Sequence, residues 1–174
     1  MTLDSEQEKA IRNAIKLDGL GKDDQYTLRQ MLSKKSDNNV NASLFVDGAA
    51  DLHSKTAGIG GVVYVDGKEI ATFSEPLFEK TNNESEYLAL LRGIKLLQEL
   101  KFIKVAIFAD SQLVVNQVNG DYKVKNDRMK VLHSNVLSLL QLFDKWTINH
   151  ILRGKNVRAD ELSKLGMEKA RTEK

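Results

Sequence analysis

The sequence predicts an α/β domain on a five-stranded mixed sheet, and three observations carry that expectation. Alternating segments at residues 60–65 and 68–74 flank Asp66-Gly67, a dipeptide suited to a two-residue hairpin turn. Residues 83–100 place Leu90, Ile94 and Leu97 on one helix face by their four-and-three spacing. Later apolar runs are separated by helical patterns, so those strands are joined through helices, whereas the first three follow one another as a meander.

The first strand is the apolar run Ser43-Leu44-Phe45-Val46, and the hairpin at 60–74 supplies the next two. After the long helix at 83–100, residues 105–109 read as a buried-type strand and 112–118 as a short helix. Met129, Leu132, Val136, Leu139, Leu140 and Phe143 stripe another helix. A strand at 146–152 and a helix at 158–170 complete the order βββαβααβα.

Residues 1–40 differ in pattern. Two polar helical stretches, 5–17 and 23–33, flank the turn-like Asp18-Gly19-Leu20-Gly21. Ile11, Ile15, Tyr26, Met31 and Leu32 suffice for a small helical hairpin but not for an independent core. Ser36-Asp37-Asn38-Asn39 reads as a linker, which divides the chain into a helical appendage at 1–40 and a main domain at 41–174.

Composition narrows the function classes. With no cysteine, any metal must be held by oxygen or histidine, and disulfides are excluded. The charged opening and the lack of an apolar run of about 18 residues predict a cytoplasmic protein with no membrane partner. A formal charge of +2 favours no partner by itself. Setting four carboxylates aside as compensated by cations raises the remainder to +6, a balance that suits a polyanion.

The carboxylates are the chemically informative residues. Asp47 and Asp110 each follow an apolar strand, where an isolated buried charge costs several kcal/mol unless it is paired, protonated or metal-bound. Capping of the next element is the alternative for each. Glu86 shares a helix face with Leu90, Gly93 and Leu97, the face expected to meet the sheet, whereas Glu84 points elsewhere as a helix-dipole acid. Asp160, near the start of the last helix, reads equally as a surface acid. Four such acids in one small domain favour a hard cation bound by oxygen.

These residues lie in blocks that resemble the type 1 ribonucleases H in the family's order. The blocks are Val46-Asp47-Gly48, then Thr81-Asn82-Asn83-Glu84-Ser85-Glu86-Tyr87, then Ala109-Asp110-Ser111-Gln112-Leu113-Val114, then the run from Arg153-Gly154-Lys155-Asn156 to Asp160. The resemblance covers residues 42–165 and implies a ribonuclease H-like fold. It places the catalytic, metal-binding acids on Asp47, Glu86, Asp110 and Asp160. Asn82 and Asn83 match residues that contact nucleic acid, and Gly48 matches a glycine that lets backbone approach RNA. Asn156 joins the nucleic-acid set, as does Arg153, for which a phosphate contact and a surface ion pair both stand open.

The family chemistry implies two Mg²⁺ ions with substrate, Mn²⁺ being the alternative, one lowering the pKa of water and the other stabilising the departing 3′ oxygen. Without metal the acids repel one another, and at least one pKa is expected to rise. The implied reaction is endonucleolytic cutting of the RNA strand of an RNA–DNA hybrid to 5′-phosphate products, with RNA chosen by its 2′-hydroxyl.

The sequence resembles compact members that lack a basic helical protrusion, since residues 119–128 offer only Lys123, Lys125 and Arg128. Cutting of double-stranded RNA is therefore one alternative, and a noncatalytic nucleic-acid-binding module on the same fold is another. The tight connection 153–156 holds no histidine, and His53, His133, His150 and Trp146 are read as structural. Residues 1–40 carry no basic stripe and leave packing, a protein partner or an oligomer contact open.

Overall fold

The computed structural model describes residues 5–15, 19–21, 23–25, 27–28 and 42–173. The chain divides into two compact units, Met1–Asn39 and Val40–Lys174.

In the first unit, helix α1 spans Ser5–Ala14 and ends near a bond from the Ile15 amide to the Ile11 carbonyl. Residues 23–25 and 27–28 are also helical. The expected continuation through Met31 and Leu32, and the linker at 36–39, lie outside the described residues.

In the second unit five strands form one sheet: β1 (Ala42–Asp51), β2 (Thr56–Val65), β3 (Lys68–Phe78), β4 (Lys104–Ala109) and β5 (Lys145–His150). Their order is β3-β2-β1-β4-β5, with the first three antiparallel and β1, β4 and β5 parallel. The mixed sheet expected from the connections is the one observed. Asp66 and Gly67 both take positive φ between β2 and β3, as that turn requires. Pro76, the chain's sole proline, sits in β3, an edge strand where a missing amide donor is tolerated.

The helices are α2 (Asn82–Glu99), α3 (Gln112–Val118), α4 (Asp127–Leu140) and α5 (Val157–Thr172), with a 3-10 turn at Arg153–Lys155. Local chemistry fixes their starts. Thr81 and Glu84 form a reciprocal capping box at α2, and the Ser111 and Asn126 side chains accept from Val114 N and Met129 N. The helix expected to reach Phe143 stops at Leu140, and Phe143 packs into the core from the turn that follows.

One face of the sheet meets α2, on which α4 packs in turn, and Leu44, Val46, Ile107, Leu90, Ile94, Leu97, Val136 and Leu140 share this core essentially without solvent contact. The other face takes α5. Gly58 and Gly60 of β2 admit its backbone, since a Cβ there would stand 2.1 Å from Met167 N and 2.2 Å from Ser163 N.

β1 runs well beyond the apolar run that announced it. Its second half, Asp47-Gly48-Ala49-Ala50-Asp51, pairs with 56–60 of β2, so ladder bonds and not side-chain hydrophobicity hold it extended. Asp47 consequently lies within a strand and not at its end.

Candidate active site

The parallel ladder between β1 and β4 ends at Val46 opposite Ala109. Asp47 and Asp110 are the next residues on the two strands, which places them side by side where the central strands part. Glu86 enters from the second turn of α2. One carboxylate oxygen from each of Asp47, Glu86 and Asp110 lies within 4.8 Å of the others.

Two glycines let the helices close on β1 and β2 around these acids. A Cβ on Gly48 would stand 2.3 Å from the Ser85 carbonyl carbon, so α2 can lie against β1 there only because the residue has no side chain. The Gly48 amide donates to the Glu86 carboxylate. Sequence resemblance assigned Gly48 to contact with RNA; its Cα side is taken up by the helix, while the residue also lines the cleft. Gly60, directly opposite Asp47 in β2, admits α5 in the same way.

The electrostatics are those of an acid cluster awaiting positive charge. Burial, and then repulsion from Asp47 and Asp110, push the Glu86 carboxyl up to about 9. Burial likewise raises Asp47 to about 6, with Asp110 and Asp160 adding to the rise and a hydrogen bond from Ser163 opposing it. Glu86 Oε2 and Asp110 Oδ2 are buried without a hydrogen-bond partner. Hard, partly unsatisfied carboxylate oxygens that converge within one ion's reach fit a metal such as Mg²⁺ or Mn²⁺.

Asp160 is not part of that three-acid cluster. Its Oδ1 accepts from Arg153 Nε at 3.2 Å and Nη2 at 2.9 Å, and its Oδ2 accepts from Lys164 Nζ. Burial opposes its ionisation, but Lys164 and Arg153 outweigh that and hold the carboxyl below its ordinary range. Of the two readings for Arg153, the ion pair is therefore present in this structure.

A cleft of about 400 Å³ opens over the cluster, lined by Asp47, Gly48, Asn82, Glu86, Asp110 and Arg153, with Lys164 and Met167 from α5. Asn82 Oδ1 also accepts from the Ala50 amide at 2.9 Å, which ties the end of β1 to the start of α2. Asn83 is exposed and faces a separate depression with Thr81, Asn126 and Arg128. Asn156 is 1% exposed, and its Nδ2 donates to the Val46 carbonyl at 2.9 Å. Its side chain therefore holds β1 from inside instead of meeting solvent. That inward bond also explains why Asn156 gives α5 no side-chain cap.

Glu84 stays outside the cluster, as its position on the helix implied. It is buried, however, because its carboxylate caps its own helix through Thr81 N and Oγ1 and stands 3.8 Å from Arg128. Among the described residues no histidine lines the cleft: His133 Nε2 meets the Gln117 carbonyl at 3.0 Å, and His150 is exposed on β5 opposite Ala109. Sequence reasoning missed Ser163 and Lys164. Both lie three and four residues after Asp160 on α5, so the helix period could have flagged them.

A β3-β2-β1-β4-β5 sheet with acids gathered past its central parallel pair defines the ribonuclease H-like class of fold. Residues 45–166 match the family described as reverse transcriptase-like. The chain is 31% identical over 127 residues to ribonuclease HI of Halobacterium salinarum, spanning 72% of this chain and 64% of that one. It spans only 35% of the bifunctional protein Rv2228c of Mycobacterium tuberculosis, at 29% identity. The crystal structure of RNase H1 from Halobacterium salinarum aligns with a TM-score of 0.72 at 29% identity, covering 75% of this chain and 99% of that one. LC11-RNase H1, solved in complex with an RNA/DNA hybrid, aligns with a TM-score of 0.71 at 32% identity and the same coverages. The chain belongs to the type 1 ribonuclease H family. Among the described residues no helix is long and apolar enough to cross a membrane.

Proposed function

We propose that the chain is an endoribonuclease that hydrolyses the RNA strand of RNA–DNA hybrids to 5′-phosphate products, using Mg²⁺ held by Asp47, Glu86 and Asp110, with Asp160 as the fourth acid. The observation that carries this reading is the convergence of three carboxylates within 4.8 Å at the floor of an open cleft, two of them with unsatisfied buried oxygens. Bound Mg²⁺ supplies Lewis-acid chemistry there, activating water and stabilising the leaving 3′ oxygen.

The chain's own residues orient and bind. Asp47, Glu86 and Asp110 present fixed oxygen ligands because strands and helix hold their backbones against one another. Arg153, exposed at the cleft and always charged, exchanges its pairing with Asp160 for a backbone phosphate when substrate arrives. Asn82 at the cleft wall and Asn83 beside it offer amide groups to sugar and base edges, where the 2′-hydroxyl distinguishes RNA from DNA. Gly48 lets α2 lie against β1 at the cleft floor, and Asn156 supports that floor from below by holding Val46. Residues 1–40 are a separate appendage with a packing or protein-contact role. The likeness to LC11-RNase H1, whose structure holds a hybrid, supports this substrate class.

The test is cleavage of a labelled RNA–DNA hybrid with Mg²⁺ or Mn²⁺, beside matched RNA and DNA duplexes. Cutting of the RNA strand of the hybrid alone is the expected result. Equal cutting of double-stranded RNA, the outcome a reduced basic surface at 119–128 would permit, would replace the hybrid-selective reading with the broader one. Binding without cutting under every metal would leave a noncatalytic module.

A further inference from the structure

We propose that Ser163 is a positioning residue for the acid cluster: its hydroxyl ties the Asp47 carboxylate to the turn of α5 that carries Asp160, and so holds Asp47 in its cation-binding orientation. The inference rests on the reading of Asp47 as a metal-holding acid.

Ser163 is fully buried at the contact between α5 and the sheet. A hydroxyl in that position is costly unless bonded. Its Oγ donates to Asp47 Oδ2 and lies 2.9 Å from the carbonyl oxygen of Asp160, three residues earlier on the helix. The Asp160 carbonyl is the competing acceptor, of the kind a serine finds back along its own helix. With one proton and two acceptors, the charged one takes it, because a hydrogen bond to a carboxylate is the stronger.

The backbone that carries Ser163 lies directly against β2. A Cβ on Gly60 would stand 2.2 Å from Ser163 N, and one on Gly58 would stand 2.3 Å from Ser163 O. Gly60 is itself the residue directly opposite Asp47 in the β1–β2 ladder. The same missing side chain that faces Asp47 therefore brings the serine within reach of it. Packing alone would be met by alanine, so the hydroxyl's contribution is to the acid it touches.

The test follows backbone amides of Asp47 and Gly48 by NMR as Mg²⁺ is added to the full-length protein, for wild type, Ser163→Ala and Ser163→Cys. Unfolding midpoints in chelator are measured alongside. Partners that orient metal ligands typically change affinity tenfold or more, so Ser163→Ala is expected to bind Mg²⁺ about tenfold more weakly. Ser163→Cys, close in size but a weak donor, is expected between the two. An Mg²⁺ affinity equal to wild type in Ser163→Ala, with or without a lowered midpoint, would reduce Ser163 to a packing residue and overturn the proposal. If wild type itself shows no Mg²⁺ response, the metal reading fails and this inference falls with it.

Discussion

Gly48 and Glu86 meet backbone to backbone: a Cβ added to Gly48 would stand 2.4 Å from the Glu86 amide nitrogen, while the Gly48 amide donates to the Glu86 carboxylate. One glycine thus sets both the position of the helix and the aim of its acid. Gly48→Ala forces β1 and α2 apart, against backbone that cannot rotate away. It is expected to destabilise the fold by about 3 kcal/mol and to lose cleavage even where the protein remains folded. Chemical denaturation beside a hybrid assay checks both, and wild-type behaviour in the two would mean the strand and helix tolerate separation.

The raised Glu86 carboxyl makes the metal-free protein sensitive to alkali. Below the ordinary value of 4.5 the group is protonated folded or unfolded and contributes no pH dependence. As pH rises from there to about 9, the unfolded state ionises freely while the folded state resists, so stability falls across that window. Asp47 adds to the same trend between 3.8 and about 6. The loss is on the order of 1 kcal/mol per pH unit for one proton. In chelator, Glu86→Gln is expected to flatten the decline above pH 6, and added Mg²⁺ should restore wild type most strongly at high pH, since binding releases protons. Urea midpoints at pH 5, 7 and 9 measure this; a wild type that gains stability on going from pH 6 to pH 9 in chelator would refute the buried neutral carboxyl.

Asp110→Asn keeps the shape of the side chain but removes a charge from the three-acid cluster. Hybrid cleavage is expected to fall by at least about a hundredfold while the fold is retained. Glu84→Gln is the contrasting variant. Its carboxylate serves Thr81, so the change weakens the start of α2 by about 1 kcal/mol and leaves turnover near wild type. Equal losses of turnover in Glu84→Gln and Glu86→Gln would mean that the wrong glutamate has been placed at the metal.

Arg153 is paired with Asp160 in the absence of substrate and is 71% exposed, so it is free to change partners. Arg153→Ala is expected to weaken hybrid binding, with the salt dependence of affinity losing about one unit of slope, the mark of one lost phosphate contact. An unchanged slope over a salt series would confine Arg153 to its ion pair.

The convergence of Asp47, Glu86 and Asp110 was legible because a carboxylate that follows an apolar strand or sits on a buried helix stripe contradicts its neighbours, and periodicity exposes the contradiction. The sheet order was legible through the Asp66-Gly67 turn and the helical spacers. What stayed hidden has no such signature. The second half of β1 is held by ladder bonds to 56–60, which side-chain pattern does not register. Ser163 and Asn156 are polar residues in polar surroundings of the sequence, and only the packing of α5 on Gly58 and Gly60 reveals that both point inward. The state of Asp160 depends on where Arg153 and Lys164 settle, a choice among flexible cations that sequence spacing leaves open.

Removal of residues 1–40 is expected to leave turnover on a short hybrid within a few fold. Asp47, Glu86, Asp110, Asp160 and both asparagines lie after Ala42, and the second unit has its own core of strands and helices. The removed segment carries as many acids as bases, so it offers no net attraction to phosphate. Half-buried Ile11 and Ala14 of α1, with Ile15 in the turn that follows, lie along one side, a pattern suited to apolar contact. Truncation is therefore expected to change stability or self-association and to leave hybrid affinity with the same salt slope. Affinity across a salt series for full-length and truncated protein, with unfolding temperatures for each, separates the two roles. A slope reduced by two or more at constant unfolding temperature would make the segment a nucleic-acid-binding element and replace the packing role assigned to it.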